Sequence, residues 1–430
     1  MRYCILFFLL FLCFLFPIGK IYSEPLKISV DSESSILINA ETGFVLFEKD
    51  ADRCHYPAST TKIATALYAL KKKRACLEDK ITASQEAIGS ISSSAKRQAR
   101  YAFPAYWLEQ GSSHIGIKKG EILSFNDLLH GMMLASGNDA ANVIAQYVSG
   151  EVPQFMEELN VYLKEEVGCR KTVLYNPHGL HHPEHRTTAR DLSLIAKEAM
   201  KDLVFSSLVS TERYVRPKTN KQESTVFVQT NQLIRKGSSH YYPKAIGVKT
   251  GYTSEAKYSL VAAARDGERT LIAVVLKCPD RDLTFGSVKK MFNAAFAQSK
   301  VRYSFFKKGP QKFKTAIEGG RNLLETYLDE DFIISCYPAE EPSIKGSIMW
   351  KSLKAPVKRG EHVATIKLSS EGNIFNKNIS LFAAKDVPST FRFSLILFWE
   401  NSYKWLFGLL IFFILLSLFF LFRRVTGRGF

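Results

Sequence analysis

Three short polar clusters in the 430-residue chain hold residue types that can do covalent chemistry. Ser59-Thr60-Thr61-Lys62 opens a stretch to Lys71 whose apolar residues Ile63, Ala66, Leu67 and Leu70 recur at helical spacing. A serine and a lysine three apart share a helix face, so the amine can reach the hydroxyl. A hydroxyl is inert at neutral pH and needs such a base before it can attack a carbonyl. The helix start also offers unpaired amides to an anion. Ser136-Gly137-Asn138 is a polar break between two apolar helical stretches, Phe125 to Ala135 and Asp139 to Val148. Lys249-Thr250-Gly251 lies in a strand-like run from Ala245 to Tyr252, where the small Gly251 would let a substrate backbone lie alongside. Each cluster taken alone reads better as ordinary structure: a helix cap with a surface lysine, an interhelical turn, a strand.

Together and in this order they are a far more specific signal, because S-x-x-K, a serine-x-asparagine element and K-T-G form one acyl-transfer set. The chain resembles the low-molecular-mass penicillin-binding proteins, the serine-type D-alanyl-D-alanine carboxypeptidases. The likeness extends through Pro57-Ala58-Ser59-Thr60-Thr61-Lys62, Ser136-Gly137-Asn138-Asp139-Ala140-Ala141, Asn176-Pro177-His178-Gly179-Leu180, Thr188-Ala189-Arg190-Asp191-Leu192 and Gly247-Val248-Lys249-Thr250-Gly251-Tyr252-Thr253. Leu353 to Gly360 looks like the family's C-terminal β domain, so the resemblance covers roughly residues 34 to 388.

The resemblance implies a role for each matched residue. Ser59 would be the nucleophile and Lys62 its base, kept partly neutral by burial and by the Lys249 cation. Ser136 would relay a proton to the departing D-alanine, and Asn138 would bond Lys62 and the substrate amide. Lys249 and Thr250 would hold the terminal carboxylate, with Gly251 and Tyr252 along the substrate strand. The backbone amides of Ser59 and Tyr252 would form the oxyanion hole. The implied partners are peptidoglycan stem peptides, with β-lactam antibiotics as inhibitors, and no metal or organic cofactor is required. A D,D-endopeptidase would use the same motifs. A β-lactamase of class A would add a Glu-x-x-Leu-Asn element, which is missing, and a non-catalytic wall-binding scaffold would not need both lysines.

The elements that must position these residues read as a mixed α/β domain, and the resemblance implies a β-lactamase/transpeptidase-like catalytic domain, an antiparallel sheet with helices. Ile36 to Ile38 and Phe44 to Phe47 read as strands, as do Tyr258 to Arg265 and Thr270 to Cys278, joined at a hairpin signal, Asp266-Gly267. Helices are expected over Thr188 to Met200 and Lys289 to Phe296. Past about residue 300, short alternating strands between Gly, Pro and charged turns indicate a separate small all-β domain: Phe332 to Tyr337, Ile344 to Trp350, Val363 to Leu368 and Ile374 to Phe382.

The ends place the chain at a membrane. Met1-Arg2-Tyr3, an apolar run from Cys4 to Ile18 and a polar stretch to Ser23 have the layout of a signal peptide. Trp405 to Phe422 is long enough to span a hydrocarbon core of about 30 Å, and Arg423-Arg424 behind it mark a cytoplasmic side. The expected organisation is a leader over 1–23, a catalytic domain over 24–300 and a β domain over 301–390. An interfacial linker over 391–404, a span over 405–422 and a tail over 423–430 follow. The chain carries 58 Lys+Arg against 41 Asp+Glu, a net +17; without the two cations of the leader and three of the tail the exported body is +12. Such a body meets lipid headgroups and wall polymers, not nucleic acid. Its five cysteines are an odd number, so at least one has no partner within the chain.

Three features stand apart from the family pattern. Ile246 replaces a common acid, and Thr230 stands where some relatives carry an arginine. Ser90 to Gln110 is an insertion, expected as a solvated loop. His178, His181, His182, Glu184 and His185 invite a metal reading, against which Pro183 breaks any regular ligand spacing.

Overall fold

In the computed structural model, residues 15–16, 25–370 and 375–426 are described. Apart from Leu15–Phe16, the expected leader lies outside the described residues, as do the last four residues of the tail. The chain divides into two units: Ser23–Ser299 with Tyr337–Glu340, and Lys300–Cys336 with the remainder from Glu341.

The catalytic unit is built on one antiparallel sheet. Its strands are β1 (Ser34–Asn39), β2 (Val45–Lys49), β3 (Ala245–Thr253), β4 (Lys257–Asp266) and β5 (Arg269–Cys278), in the spatial order β3-β4-β5-β1-β2. Ile36, Ile38, Val261, Ala263, Ile272 and Val274 enter one apolar cluster, while Leu37, Leu260, Ala262, Ala273 and Val275 enter the other. Side chains alternate across a strand, so both faces of this sheet are covered, and the central strands read as unbroken apolar runs. β3 is left at an edge.

The larger cluster holds the helices that carry the polar motifs: α1 (Thr61–Lys73), α2 (Phe125–Met133), α3 (Asn138–Ser149) and α4 (Ala189–Met200). From Thr61 to Leu70 every residue of α1 is buried, so this is a central helix, not an amphipathic surface one. Side-chain caps define several starts: Ser124 and Asp127 form a capping box on α2, and Thr188 caps α4 through the Asp191 amide. The helix expected from Lys289 begins earlier, as α5 (Arg281–Phe296), because Asp280 accepts the amides of Asp282 and Leu283.

The insertion is not a solvated loop. It folds into a short helix, Ser93–Gln98, flanked by a parallel pairing of Ser90–Ile91 with Leu108–Glu109. Lys96 is buried there and paired with Glu109 at 3.1 Å. Cys54, Cys76, Cys169 and Cys278 are free thiols.

The second unit holds β6 (Gly309–Thr315), β7 (Leu324–Leu328), β8 (Ile344–Trp350), β9 (His362–Ser370) and β10 (Asn376–Ala383) in the order β8-β9-β10-β7-β6, with Leu15–Phe16 paired outside β8. It bears out the all-β expectation. α6 (Phe391–Thr426) follows, and its stretch Phe391–Phe422 is long and apolar enough to cross a membrane. The residues expected as an interfacial linker are the first turns of this same helix.

Candidate active site

Ser59 sits in a single 3-10 turn, Ala58–Thr60, that leads into α1. Lys62, one turn on and fully buried, brings its Nζ to 3.0 Å from Ser59 Oγ, 2.6 Å from Asn138 Oδ1 and 2.7 Å from the His178 carbonyl oxygen. Two of these partners can only accept, and the third is a hydroxyl. In either protonation state N–H groups go to Asn138 and His178; with the amine neutral, its lone pair is left for the Ser59 hydroxyl, the one partner able to donate. Burial first, and then the Lys249 cation, hold the Lys62 pKa well below the ordinary lysine value, against an opposing pull from Asp139.

Two glycines allow this packing. A Cβ on Gly179, at φ +90°, would stand 1.8 Å from the Ala58 carbonyl oxygen, so only glycine can carry the Asn176–Leu180 loop across the back of the serine turn. A Cβ on Gly251 would meet the Pro57 carbonyl oxygen at 3.0 Å and the Ser59 amide nitrogen at 3.1 Å. The missing side chain of Gly251 therefore admits the protein's own turn, where the sequence pointed to room for a substrate backbone, and it brings β3 directly past the Ser59 amide.

Asn138 opens α3 beneath the cleft. Its Oδ1 accepts from Lys62, and its Nδ2, expected to meet substrate, donates to Ser112 Oγ at 3.0 Å. Ser136, at φ +61°, lines the cleft, and its hydroxyl makes no hydrogen bond to a described residue. Asp139 accepts from the amides of Ile115, Gly116, Ile117 and Ala140, which fixes the neighbouring Ser112–Ile117 loop.

On β3, Lys249 is fully buried, and burial pushes its pKa down to about 7. Its Nζ reaches the Thr250 carbonyl at 3.1 Å and Thr230 Oγ1 at 3.5 Å, while Thr250 Oγ1 donates to Thr230 at 3.0 Å. No described carboxylate pairs with it. Thr230 thus shares hydrogen bonds with Lys249 and Thr250 from the position where some relatives carry an arginine. At Ile246 the ladder slips, with a bulge between Ala245 and Gly247. Tyr252 is 54% exposed, and its ring lies 4.6 Å from that of Tyr258, tilted by 37°.

Ser59, Ser136, Thr230, Thr250, Gly251 and Tyr252 line one cleft of about 340 Å³. Sequence reasoning missed Ser113 and Arg281, which share its lining. Arg281, at the start of α5, makes no ion pair with a described residue.

The histidines serve the frame. His178 donates through Nε2 to the Tyr106 carbonyl and accepts the Leu180 amide at Nδ1, and burial keeps it neutral. His185 uses Nε2 with Thr61 and Nδ1 with the Tyr175 amide, and burial lowers its pKa to about 3.

Residues 19–280 match the family described as D-alanyl-D-alanine carboxypeptidase, and residues 302–389 match the C-terminal domain of penicillin-binding protein 5. The chain is 32% identical to D-alanyl-D-alanine carboxypeptidase DacF of Bacillus subtilis over 86% of its length and 88% of that protein's. It is 29% identical to D-alanyl-D-alanine carboxypeptidase DacC of Escherichia coli, over 80% of this chain and 81% of that one. Among solved structures it resembles penicillin binding protein 5 of Haemophilus influenzae at 25% identity and a TM-score of 0.57, covering 84% of this chain and 99% of the other.

Proposed function

The chain belongs to the D-alanyl-D-alanine carboxypeptidase family and is a serine-type enzyme of that activity; from that premise we propose the part each of its own residues plays. Lys62 takes the Ser59 proton, and Ser59 Oγ attacks the carbonyl of the penultimate D-alanine in a pentapeptide stem. The amides of Ser59 and Tyr252 hold the oxyanion, and Ser136 hands a proton to the departing D-alanine nitrogen. Water then attacks the acyl-enzyme and releases the tetrapeptide. The terminal carboxylate lies against Lys249 and Thr250, with Arg281 as a further cation at the rim. The substrate lies along β3 as an added edge strand.

One observation carries this reading: Lys62 Nζ at 3.0 Å from Ser59 Oγ, with its other two contacts both obligate acceptors. β-Lactams acylate the same serine. A fragment over 24–390 forms the exported body. α6 anchors it in the bacterial inner membrane, with Arg423 and Arg424 on the cytoplasmic side and the catalytic unit on the other.

Intact-mass spectrometry after exposure to penicillin, beside Ser59→Ala, tests the proposal. One stable adduct on the natural chain and none on the variant is the expected result. The antibiotic left intact with no adduct would remove Ser59 from the chemistry. Release of D-alanine from a synthetic pentapeptide, with a cross-linked peptide left uncut, separates the carboxypeptidase from an endopeptidase.

A further inference from the structure

The Ser90–Gln110 insertion reaches Lys62 by two hydrogen-bonded routes. In the first, the Tyr106 carbonyl accepts His178 Nε2 at 3.0 Å and Asn142 Nδ2 at 2.8 Å, and the His178 carbonyl accepts Lys62. Asn142, His178 and Lys62 are all fully buried. The second route runs through the loop that follows the insertion. Asn138 Oδ1 accepts Lys62 at 2.6 Å, and Asn138 Nδ2 donates to Ser112 Oγ at 3.0 Å. His114 Nε2 then lies 3.2 Å from Ser112 Oγ and 3.2 Å from the Glu109 carbonyl oxygen. Glu109 is fixed in turn, because its carboxylate takes Lys96 at 3.1 Å and Ser93 at 2.7 Å.

Donor counting gives the second route a direction. A carbonyl oxygen only accepts, so His114 Nε2 carries the ring proton and shares it between Glu109 and Ser112. An amide nitrogen only donates, so Ser112 Oγ receives Asn138 on one lone pair and keeps the other for His114. The serine oxygen is a double acceptor held between the site and the insertion. An asparagine amide has two orientations, and only one of them sets its oxygen on Lys62. Unlike the first route, this one ends in water, since His114 is exposed.

Resting on the proposed role of Lys62 as the base, we infer that His114 is a positioning residue for the reaction: it holds Ser112 Oγ against Asn138 Nδ2, which keeps Asn138 Oδ1 on Lys62. Through Glu109 the insertion becomes a brace of the base. Asn138 Oδ1 aims the amine at Ser59 Oγ, and as an acceptor it favours the ammonium form of Lys62. Loss of the brace therefore slows acylation. It also moves the acid limb of the rate, which reports deprotonation of Lys62, to lower pH.

The test is the acylation rate of the full chain in detergent by penicillin, followed by timed intact-mass spectrometry across pH. His114→Phe is expected to lower the plateau rate about fivefold, the worth of one hydrogen bond, and to move the acid limb down by about half a pH unit. Its urea midpoint stays that of the natural chain. In His114→Gln, whose amide can donate to both acceptors, rate and limb return to near their natural values. Ser112→Ala brings the same two changes, and Ser112→Ala/His114→Phe adds nothing to them, since both residues act along one route. A natural rate and limb in His114→Phe overturn the inference, as do losses that multiply in the double variant. No adduct on the natural chain overturns the reading of Ser59 and Lys62 itself, and that outcome is visible before any variant is compared.

Discussion

Arg269 on β5 and Lys249 on β3 belong to the same sheet, and both are taken out of water, at 5% and 0% exposure. Around Arg269 the fold supplies everything a buried cation needs. Nε donates to Glu340 Oε1 at 2.7 Å, Nη1 donates to the Ala295 carbonyl, and the Tyr337 ring lies 3.8 Å from the guanidinium. Glu340 is held in turn by Asn39 at 2.9 Å. Around Lys249 there is one carbonyl, one distant hydroxyl and no described carboxylate. Burial of a charge is costly unless it is paired, so the first arrangement is self-contained and the second is not. The compensated cation holds structure; the uncompensated one is where the proposed function seats the substrate carboxylate.

This contrast breaks most visibly at Lys62, which the resting fold also denies a carboxylate. Lys62→Met removes the amine and keeps an apolar stem; β-lactam acylation should fall about 10³-fold, read by stopped-flow or timed mass spectrometry, while the melting temperature holds or rises. Arg269→Met should do the reverse. It leaves Glu340 buried and unpaired, at a cost of about 3–5 kcal/mol in urea unfolding, and native protein that remains should acylate normally. Lys249→Met should lower kcat/KM for D-Ala-D-Ala peptides about 10- to 100-fold, the worth of a charge-assisted hydrogen bond, without loss of stability.

The smallest effect is a slope in pH. Free Lys249 is protonated below about 7. Above that value a carboxylate substrate must draw a proton in as it binds, so kcat/KM should fall up to tenfold per pH unit on the alkaline side. The stability of the fold runs the other way. The unfolded chain holds more protons on this lysine between pH 7 and its unfolded value of about 10.4, so stability rises with pH across that window. Lys249→Met should flatten both trends, in a pH-rate profile and in urea midpoints at several pH values.

Much of the site was legible in the sequence because it is written in regular elements. Ser59 and Lys62 are one turn apart, and Lys249 and Thr250 sit on a strand whose apolar run is unmistakable. The mixed α/β class followed from the same periodicities and from Asp266-Gly267, and the finer fold from the resemblance of the motifs. What was not legible depends on pairing across long separations. Ser112 reaches Asn138 only because Asp139 gathers the amides of three loop residues. Arg281 enters the cleft because a cap nine residues upstream of the expected start lengthens α5. The insertion has no apolar stripe of its own, so its order, set by the Lys96–Glu109 pair and by the Tyr106 carbonyl under His178, could not be read locally.

The helix at the end of the chain has a mechanical consequence. α6 begins at Phe391, where Phe393 packs on Gly319 and the Thr390 amide donates to the Gly319 carbonyl, and it continues for 36 residues. At 1.5 Å per residue it measures about 54 Å, against about 30 Å of hydrocarbon in a bilayer. With Trp405–Phe422 as the span, the stretch Phe391–Lys404 would add about 21 Å of continuous helix, a strut and not a flexible tether. The standoff of the β domain from a bilayer would then be quantised by helix length: each added turn would move it by about 5.4 Å and rotate it with the screw of the helix.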